Sequence, residues 1–134
     1  MRIIIMLVLS LTFMTATLLG CNNGIADGKI AKVSISKSSG FGKVNTDFYA
    51  EFEDEGILDL FKNVISNAVK EEGIVNMIEP EFDLEVGCAD GSNHGYHLWL
   101  GEKEQISTLM NIDDTHTIYT ISEEMTNKLI DIVQ

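Results

Sequence analysis

The alternation of apolar and polar residues after position 28 predicts a series of short strands. Residues 29–38 (KIAKVSISKS) and 46–54 (TDFYAEFED) alternate with a period of two, which is typical of a half-buried strand. The glycine-containing segment SSGFGKVN lies between them. We therefore predict that these two strands form a hairpin.

Helical periodicity replaces this alternation over residues 55–72, which are predicted to form the first helix. Asp54 suits its N-cap, Gly73 suits its C′ position, and Ile74 suits the apolar partner of that cap. Ser122 suits the N-cap of a second helix that closes the chain. The apolar stripe of this second helix consists of Met125, Leu129, Ile132 and Val133.

Between the helices, four further segments alternate and are separated by turn sequences. They are 81–89 (EFDLEVGCA), 94–101 (HGYHLWLG), 105–112 (QISTLMNI) and 115–122 (THTIYTIS). The resulting order is ββαββββα. This order predicts an α+β fold in which an antiparallel sheet carries both amphipathic helices on one face.

The face of the sheet away from the helices is the candidate binding surface. Strand alternation places aromatic rings and carboxylates there, and such a surface suits a basic peptide, an ammonium group or a sugar. Its candidate residues are Trp99, His97, Tyr49, Tyr119, Glu51 and Glu85, with Tyr119 included if its strand has the matching phase. The alternative is that Trp99 covers a thin sheet or packs beneath a loop. If the face is open, Trp99→Ala or His97→Ala should leave the fold intact.

The N-terminus has the pattern of a secretory leader. A short basic start, Met1-Arg2, precedes the almost wholly apolar segment 3–19. Leu18-Leu19-Gly20-Cys21 then resembles the bacterial lipobox, in which the cysteine thiol receives diacylglycerol and the leader is removed. We therefore predict a lipoprotein signal peptide over residues 1–20, a lipidated Cys21 with a tether over residues 21–28, and a single domain over residues 29–134. An uncleaved membrane helix is the alternative for the leader.

Charge and cysteine content limit the classes of partner. With 21 acidic against 9 basic residues, the net charge is −12, which argues against nucleic acid and against adsorption to anionic lipid through a basic patch. Two acyl chains on Cys21 would hold the protein at a membrane stably, whereas one chain would not. Cys88 is then left without an intramolecular partner, so no disulfide is expected, and we predict that it is buried.

Catalytic and metal-binding patterns are weak in this sequence. The spacing of His94 and His97 would place them on opposite faces of a strand, and His116 alone does not complete a zinc site. DGSNH lacks the alternating oxygen ligands of a calcium loop, and no G-x-S-x-G motif occurs. We therefore predict no catalytic residue, no metal and no cofactor other than diacylglycerol on Cys21.

The leader, the loop GFGKVN and the segments GIVNM, HLWLG and DDTHTIYTIS together resemble the YhfM-like family of small lipoproteins from bacilli. This resemblance implies a domain anchored on the extracytoplasmic face of a Gram-positive cell membrane, and it implies no assigned activity. Only Cys21 carries over as a functional position. The sequence thus favours a binding or interaction module whose partner is an envelope protein, a basic peptide or a glycan. The alternative is an envelope enzyme or an inhibitor of one.

Overall fold

A computed structural model describes residues 29–72 and 76–134 of the chain. The leader, Cys21, the tether and the predicted helix terminators Gly73 and Ile74 lie outside the described residues. The elements are β1 (Ile30–Lys37), β2 (Ala50–Phe52), α1 (Glu55–Asn67), β3 (Val69–Lys70), β4 (Phe82–Cys88), β5 (Asn93–Trp99), β6 (Ser107–Asn111), β7 (Tyr119–Ile121) and α2 (Glu123–Val133).

The strands form a 7-stranded sheet in the order β2-β1-β4-β5-β6-β7-β3. Every neighbouring pair is antiparallel, so the α+β fold and the β1–β2 hairpin predicted from the sequence are confirmed. Strands β4 to β7 pair in chain order, whereas the pairs β1–β4 and β7–β3 join strands that are distant in sequence. β2, α1 and β3 lie between β1 and β4 in the sequence, so the β1–β4 pairing brings the start of the domain beside its middle.

One strand, β3, was missed because the first helix was predicted to be too long. The helix ends at Asn67, and Ala68 already has extended backbone angles (φ −62°, ψ 135°). Val69 and Lys70 then pair with Thr120 and Tyr119 at the edge of the sheet. The helical pattern of apolar residues continued to Val69, but a local pattern does not show the edge of β7, with which residues 69–70 pair.

The helix starts agree with the sequence. The side chain of Asp54 accepts a hydrogen bond from the backbone N–H of Ile57, and Ser122 accepts one from that of Met125, as N-caps do. Substituting such a cap removes the partner of an otherwise unpaired N–H group at the helix start. These two residues therefore determine where α1 and α2 begin.

Both helices pack on one face of the sheet and build the main core there. Phe61 and Val64 of α1 and Leu129 of α2 are buried against it. The sheet residues beneath them are Val33, Ile35, Leu84, Val86, Leu98, Leu109 and Ile121. Cys88 is buried in the same cluster, as predicted. The two-layer arrangement leaves the opposite face of the sheet to be covered by other parts of the chain.

Candidate functional site

Residues 38–49, which connect β1 to β2, cross the face of the sheet that the helices leave uncovered. We call this segment the strap. The predicted second strand began at residue 46, but only Ala50–Phe52 pair with β1 in the sheet register. Before them, Tyr49 N–H donates one further bond to β1, and Asn45 N–H bonds to the face of the sheet. An added Cβ at Gly95 would lie 2.7 Å from Val44 Cγ2 and 2.5 Å from Ile112 Cδ1. Only glycine at this position lets both side chains approach β5.

A buried pair of polar side chains holds the strap. Asp83 of β4 and His97 of β5 face each other in register, and both side chains are 0% exposed. Asp83 Oδ1 lies 2.7 Å from His97 Nδ1, and Asp83 Oδ2 accepts a hydrogen bond from Asn45 N–H at 2.8 Å. His97 Nε2 accepts a hydrogen bond from Gly42 N–H at 3.1 Å. Both side chains thus bind backbone N–H groups of the strap.

These contacts determine the tautomer of His97. Since Nε2 accepts from Gly42, the ring proton is on Nδ1 and is donated to the Asp83 carboxylate. Ser36 Oγ adds a hydrogen bond to Asn45 C=O at 2.6 Å, on the same face. The strap is therefore fixed by side chains of three adjacent strands. In this arrangement Nε2 has no lone pair free for proton transfer to a substrate.

Trp99 lies at the end of β5 in a second, smaller core. It is 7% exposed and packs with Met110, Ile118 and Met77. Its indole Nε1–H donates a hydrogen bond to the backbone carbonyl of Ile78 at 3.1 Å. Trp99 is therefore covered by residues 76–80 as well as by the strap.

Two residues that contact Trp99, one through its ring and one through its backbone carbonyl, have exposed apolar side chains. The ring centroid of Phe41, at the tip of the strap, lies 6.0 Å from that of Trp99 and 5.7 Å from that of His97. Phe41 is 44% exposed, and Ile78, whose carbonyl accepts from Trp99, is 79% exposed. We call Phe41 and Ile78 together the distal patch. Sequence analysis missed it, although GFG in a predicted loop was a signal that an aromatic side chain lies on a glycine-flanked turn.

The interpretation of this face as an open binding surface is wrong at its two central residues. His97 and Trp99 are buried, because the strap and residues 76–80 cover them. The alternative interpretation, that Trp99 packs beneath a loop, is confirmed. The associated expectation that His97→Ala or Trp99→Ala leaves the fold intact no longer follows.

The two tyrosines of the candidate surface lie elsewhere. Tyr119 is opposite Leu109 in the sheet register and packs against the main core, so its strand has the phase that faces the helices. Tyr49 is exposed, but its hydroxyl donates to the carbonyl of Val133 at 2.5 Å, which ties the start of β2 to the end of α2. Partial burial raises the pKa of the Tyr49 hydroxyl above its ordinary value. Neither ring joins Trp99.

The two glutamates of the candidate surface lie on the face away from the helices, but on different strands from Trp99. Glu51 of β2 forms a surface ion pair with Lys32, at 3.2 Å. Glu85 of β4 is half-buried and lies opposite Gly95. The structure thus divides the six predicted surface residues among four places.

The histidines do not converge on a metal. His94 lies opposite the core residue Val86, whereas His97 faces the strap, so the two point to opposite faces as the strand spacing predicted. His116 is exposed in the loop before β7. Within residues 29–72 and 76–134, no group of three or more histidine, cysteine or acidic residues could hold a metal ion.

Asp90, Ser92 and His94 form a small polar cluster on the β4–β5 turn. Ser92 Oγ donates to Asp90 Oδ1 at 2.6 Å and lies 3.4 Å from His94 Nε2. Hydrogen bonds from the side chain and the backbone of Ser92 lower the pKa of Asp90. In a catalytic triad the carboxylate orients the histidine, whereas here it binds the serine hydroxyl and closes the turn.

Comparison with known proteins identifies a family and a fold. The profile of the YhfM family, described as "YhfM protein", matches residues 27–134. No curated protein gives a significant match. A solved structure of a thioesterase-like protein from Clostridium sporogenes ATCC 15579 aligns with a TM-score of 0.60 at 17% identity, covering 77% of this chain and 93% of that chain. At this identity the similarity shows a shared fold. In the part of the chain that the structure describes, no helix has the length and apolarity needed to cross a membrane.

Proposed function

The chain belongs to the YhfM family, and we propose that it is a lipid-anchored extracytoplasmic module that binds a basic envelope protein or peptide through the distal patch. The observation that carries this proposal is the exposure of Phe41 and Ile78 beside the buried Trp99. Aromatic side chains such as that of Phe41 are enriched in the cores of protein–protein interfaces relative to the rest of the surface. The net charge of −12 favours a basic partner by electrostatic attraction.

The position of the patch relative to the anchor supports this function. β1 starts at Ile30, next to the end of β4, and runs to Lys37, which pairs with Phe82 near Trp99. An 8-residue strand spans about 23 Å from its first to its last residue. A tether from Cys21 to Lys29 reaches at most about 28 Å when it is extended. The domain would thus remain near the membrane, with the distal patch at the end of the sheet away from the tether.

The buried network also favours a binding role over a catalytic one. A catalytic histidine needs a ring nitrogen that can reach a substrate. His97 is fully buried, and its Nε2 is already bonded to the strap. The network instead holds the strap, and with it Phe41, in one position. Such preorganisation reduces the entropy that is lost when a partner binds.

We predict that Cys21→Ser releases the protein from the membrane, because the serine hydroxyl does not accept the diacylglycerol. The measurement is the share of protein in membrane and soluble fractions of a Gram-positive host, with mass spectrometry of the N-terminal peptide. The matched control is Cys88→Ser, which changes the other cysteine of the chain and should leave the protein anchored. An unmodified Cys21 in the wild-type protein, or equal anchoring of both variants, would contradict the proposed location.

We predict that Phe41→Ser combined with Ile78→Ser abolishes capture of the partner while the domain stays folded. The experiment is cross-linking and pull-down from intact envelopes, with the wild-type chain and its variants compared side by side. Val69→Ser is the matched control, because Val69 is also an exposed apolar residue and lies three strands from Trp99, about 14 Å away.

The Val69→Ser variant should capture the same partner as the wild type. Indole fluorescence of Trp99, the single tryptophan, reports whether each variant keeps its fold. If the Phe41→Ser/Ile78→Ser variant and the Val69→Ser variant both retain capture of the partner, or both lose it, the partner binds to a different surface. Capture of a glycan in place of a protein would overturn the proposed partner class and leave the patch as the site.

A further inference from the structure

A small cavity lies on the helix side of the sheet, away from the distal patch. It has a volume of about 70 Å³ and is bounded by the last turn of α1 and by β5, β6 and β7. Tyr96 and Leu109 form its buried floor, and Ser66, Asn111 and Tyr119 form its more exposed rim. A water molecule occupies about 30 Å³ in the liquid, so the space suits a group of a few heavy atoms.

Four polar side chains line this cavity, those of Ser66, Tyr96, Asn111 and Tyr119, and that of Tyr96 is the most deeply buried. Tyr96 is 5% exposed, and within residues 29–72 and 76–134 no hydrogen-bond partner for its hydroxyl is found. Every fully enclosed polar side-chain atom of the described residues has a partner. The Tyr96 hydroxyl is therefore not fully enclosed, and the open space that its side chain lines is the cavity. A hydroxyl that lines an open cavity can bond to the molecule that occupies the cavity, which is either water or a ligand.

The charge state of the site restricts the ligand. Burial, with added effects of Cys88 and Tyr119, raises the pKa of Tyr96 to about 12, so its hydroxyl is protonated and donates. No lysine or arginine lines the cavity to balance an anion, and no carboxylate lines it to balance a cation. The floor and the wall beside it are apolar, with contributions from Leu109 and Ala68. An uncharged ligand with one acceptor oxygen and a short alkyl part fits these surroundings.

We propose that this cavity binds a small uncharged carbonyl compound, whose oxygen accepts a hydrogen bond from Tyr96 and whose alkyl part contacts Leu109 and Ala68. The site is independent of the distal patch, because it lies on the opposite face of the sheet. The other occupant of such a cavity is water alone, and the test distinguishes the two.

The test is a titration of the full chain, purified in detergent, with N-methylacetamide, followed by NMR. Saturable shifts of the Tyr96 and Leu109 resonances with a millimolar dissociation constant are expected, because a ligand of this size has few atoms to contribute. Tyr96→Phe should raise the dissociation constant about fivefold or more, since it removes one hydrogen bond and keeps the ring. Tyr49→Phe is the matched control, and it should not change the affinity, because its hydroxyl bonds to Val133 outside the cavity.

Two further measurements test ligand binding in the cavity even if Tyr96→Phe does not fold. Ala68→Leu should fill the cavity and abolish the shifts. Acetate should cause no saturable shift, because the site offers no positive charge. Shifts that rise linearly without saturation, equal affinity of the wild type and Tyr96→Phe, or saturable binding of acetate would each overturn the proposed ligand class.

Discussion

Replacing His97 by alanine is expected to lower the free energy of unfolding by about 3–5 kcal/mol, because it leaves the carboxylate of Asp83 buried without its closest partner. Both side chains are fully buried, and they are joined at 2.7 Å. The substitution also removes the acceptor for Gly42 N–H, so the tip of the strap loses its bond to the sheet. The measurement is urea unfolding followed by far-UV circular dichroism.

The control for this variant is His116→Ala, which makes the same substitution in an exposed loop. It should change stability by no more than about 0.5 kcal/mol. A double-mutant cycle with Asp83→Ala should show that the double variant loses less than the sum of the single losses, because no charge is then left unpaired. Equal stability of His97→Ala and His116→Ala would show that the Asp83–His97 pair does not hold the strap.

Replacing Trp99 by alanine is the second large effect, with an expected loss of about 3–5 kcal/mol. The indole is nearly buried against Met110 and Ile118, and its Nε1–H is bonded to the carbonyl of Ile78. Deleting it opens a space that the strap and residues 76–80 can fill only in part. Unfolding must be followed by circular dichroism, because this substitution removes the single tryptophan.

Trp99→Phe separates the two parts of this effect. It keeps an aromatic ring over Met110 but loses the hydrogen bond to Ile78, and it should cost about 1–2 kcal/mol. If Trp99→Ala unfolds at the same urea concentration as the wild type, residues 76–80 and the strap are not packed on the face. The face would then be open, as the alternation of the strands alone had suggested.

The buried pair and the small core around Trp99 have a common consequence for function. They hold the strap and residues 76–80 in place, and these two segments carry the exposed side chains Phe41 and Ile78. A variant that loosens the strap should therefore weaken partner capture even though it leaves Phe41 and Ile78 unchanged. This links the stability measurements to the proposed binding surface.

The sequence by itself determined six of the seven strands, the presence of both helices and their N-caps. The period of two in EFDLEVGCA and HGYHLWLG placed Leu84 and Leu98 on the buried face. The caps at Asp54 and Ser122 were readable because each cap bonds to a backbone group only three residues away. Strand alternation and N-caps depend on residues only a few positions apart in the sequence, so the local sequence pattern is enough to predict them.

Only the tertiary structure decided what covers the second face. Polar residues such as Asp83 and His97 are predicted to face solvent when each is judged by its own hydrophobicity. They are buried because their partners come from distant parts of the chain: Asn45 lies 38 residues from Asp83, and Gly42 lies 55 residues from His97. β3 likewise depends on a distant segment, because it forms by pairing with β7. A polar group is buried only where another part of the folded chain supplies its hydrogen-bond partner. The alternation of residues along one strand does not indicate which segment that is.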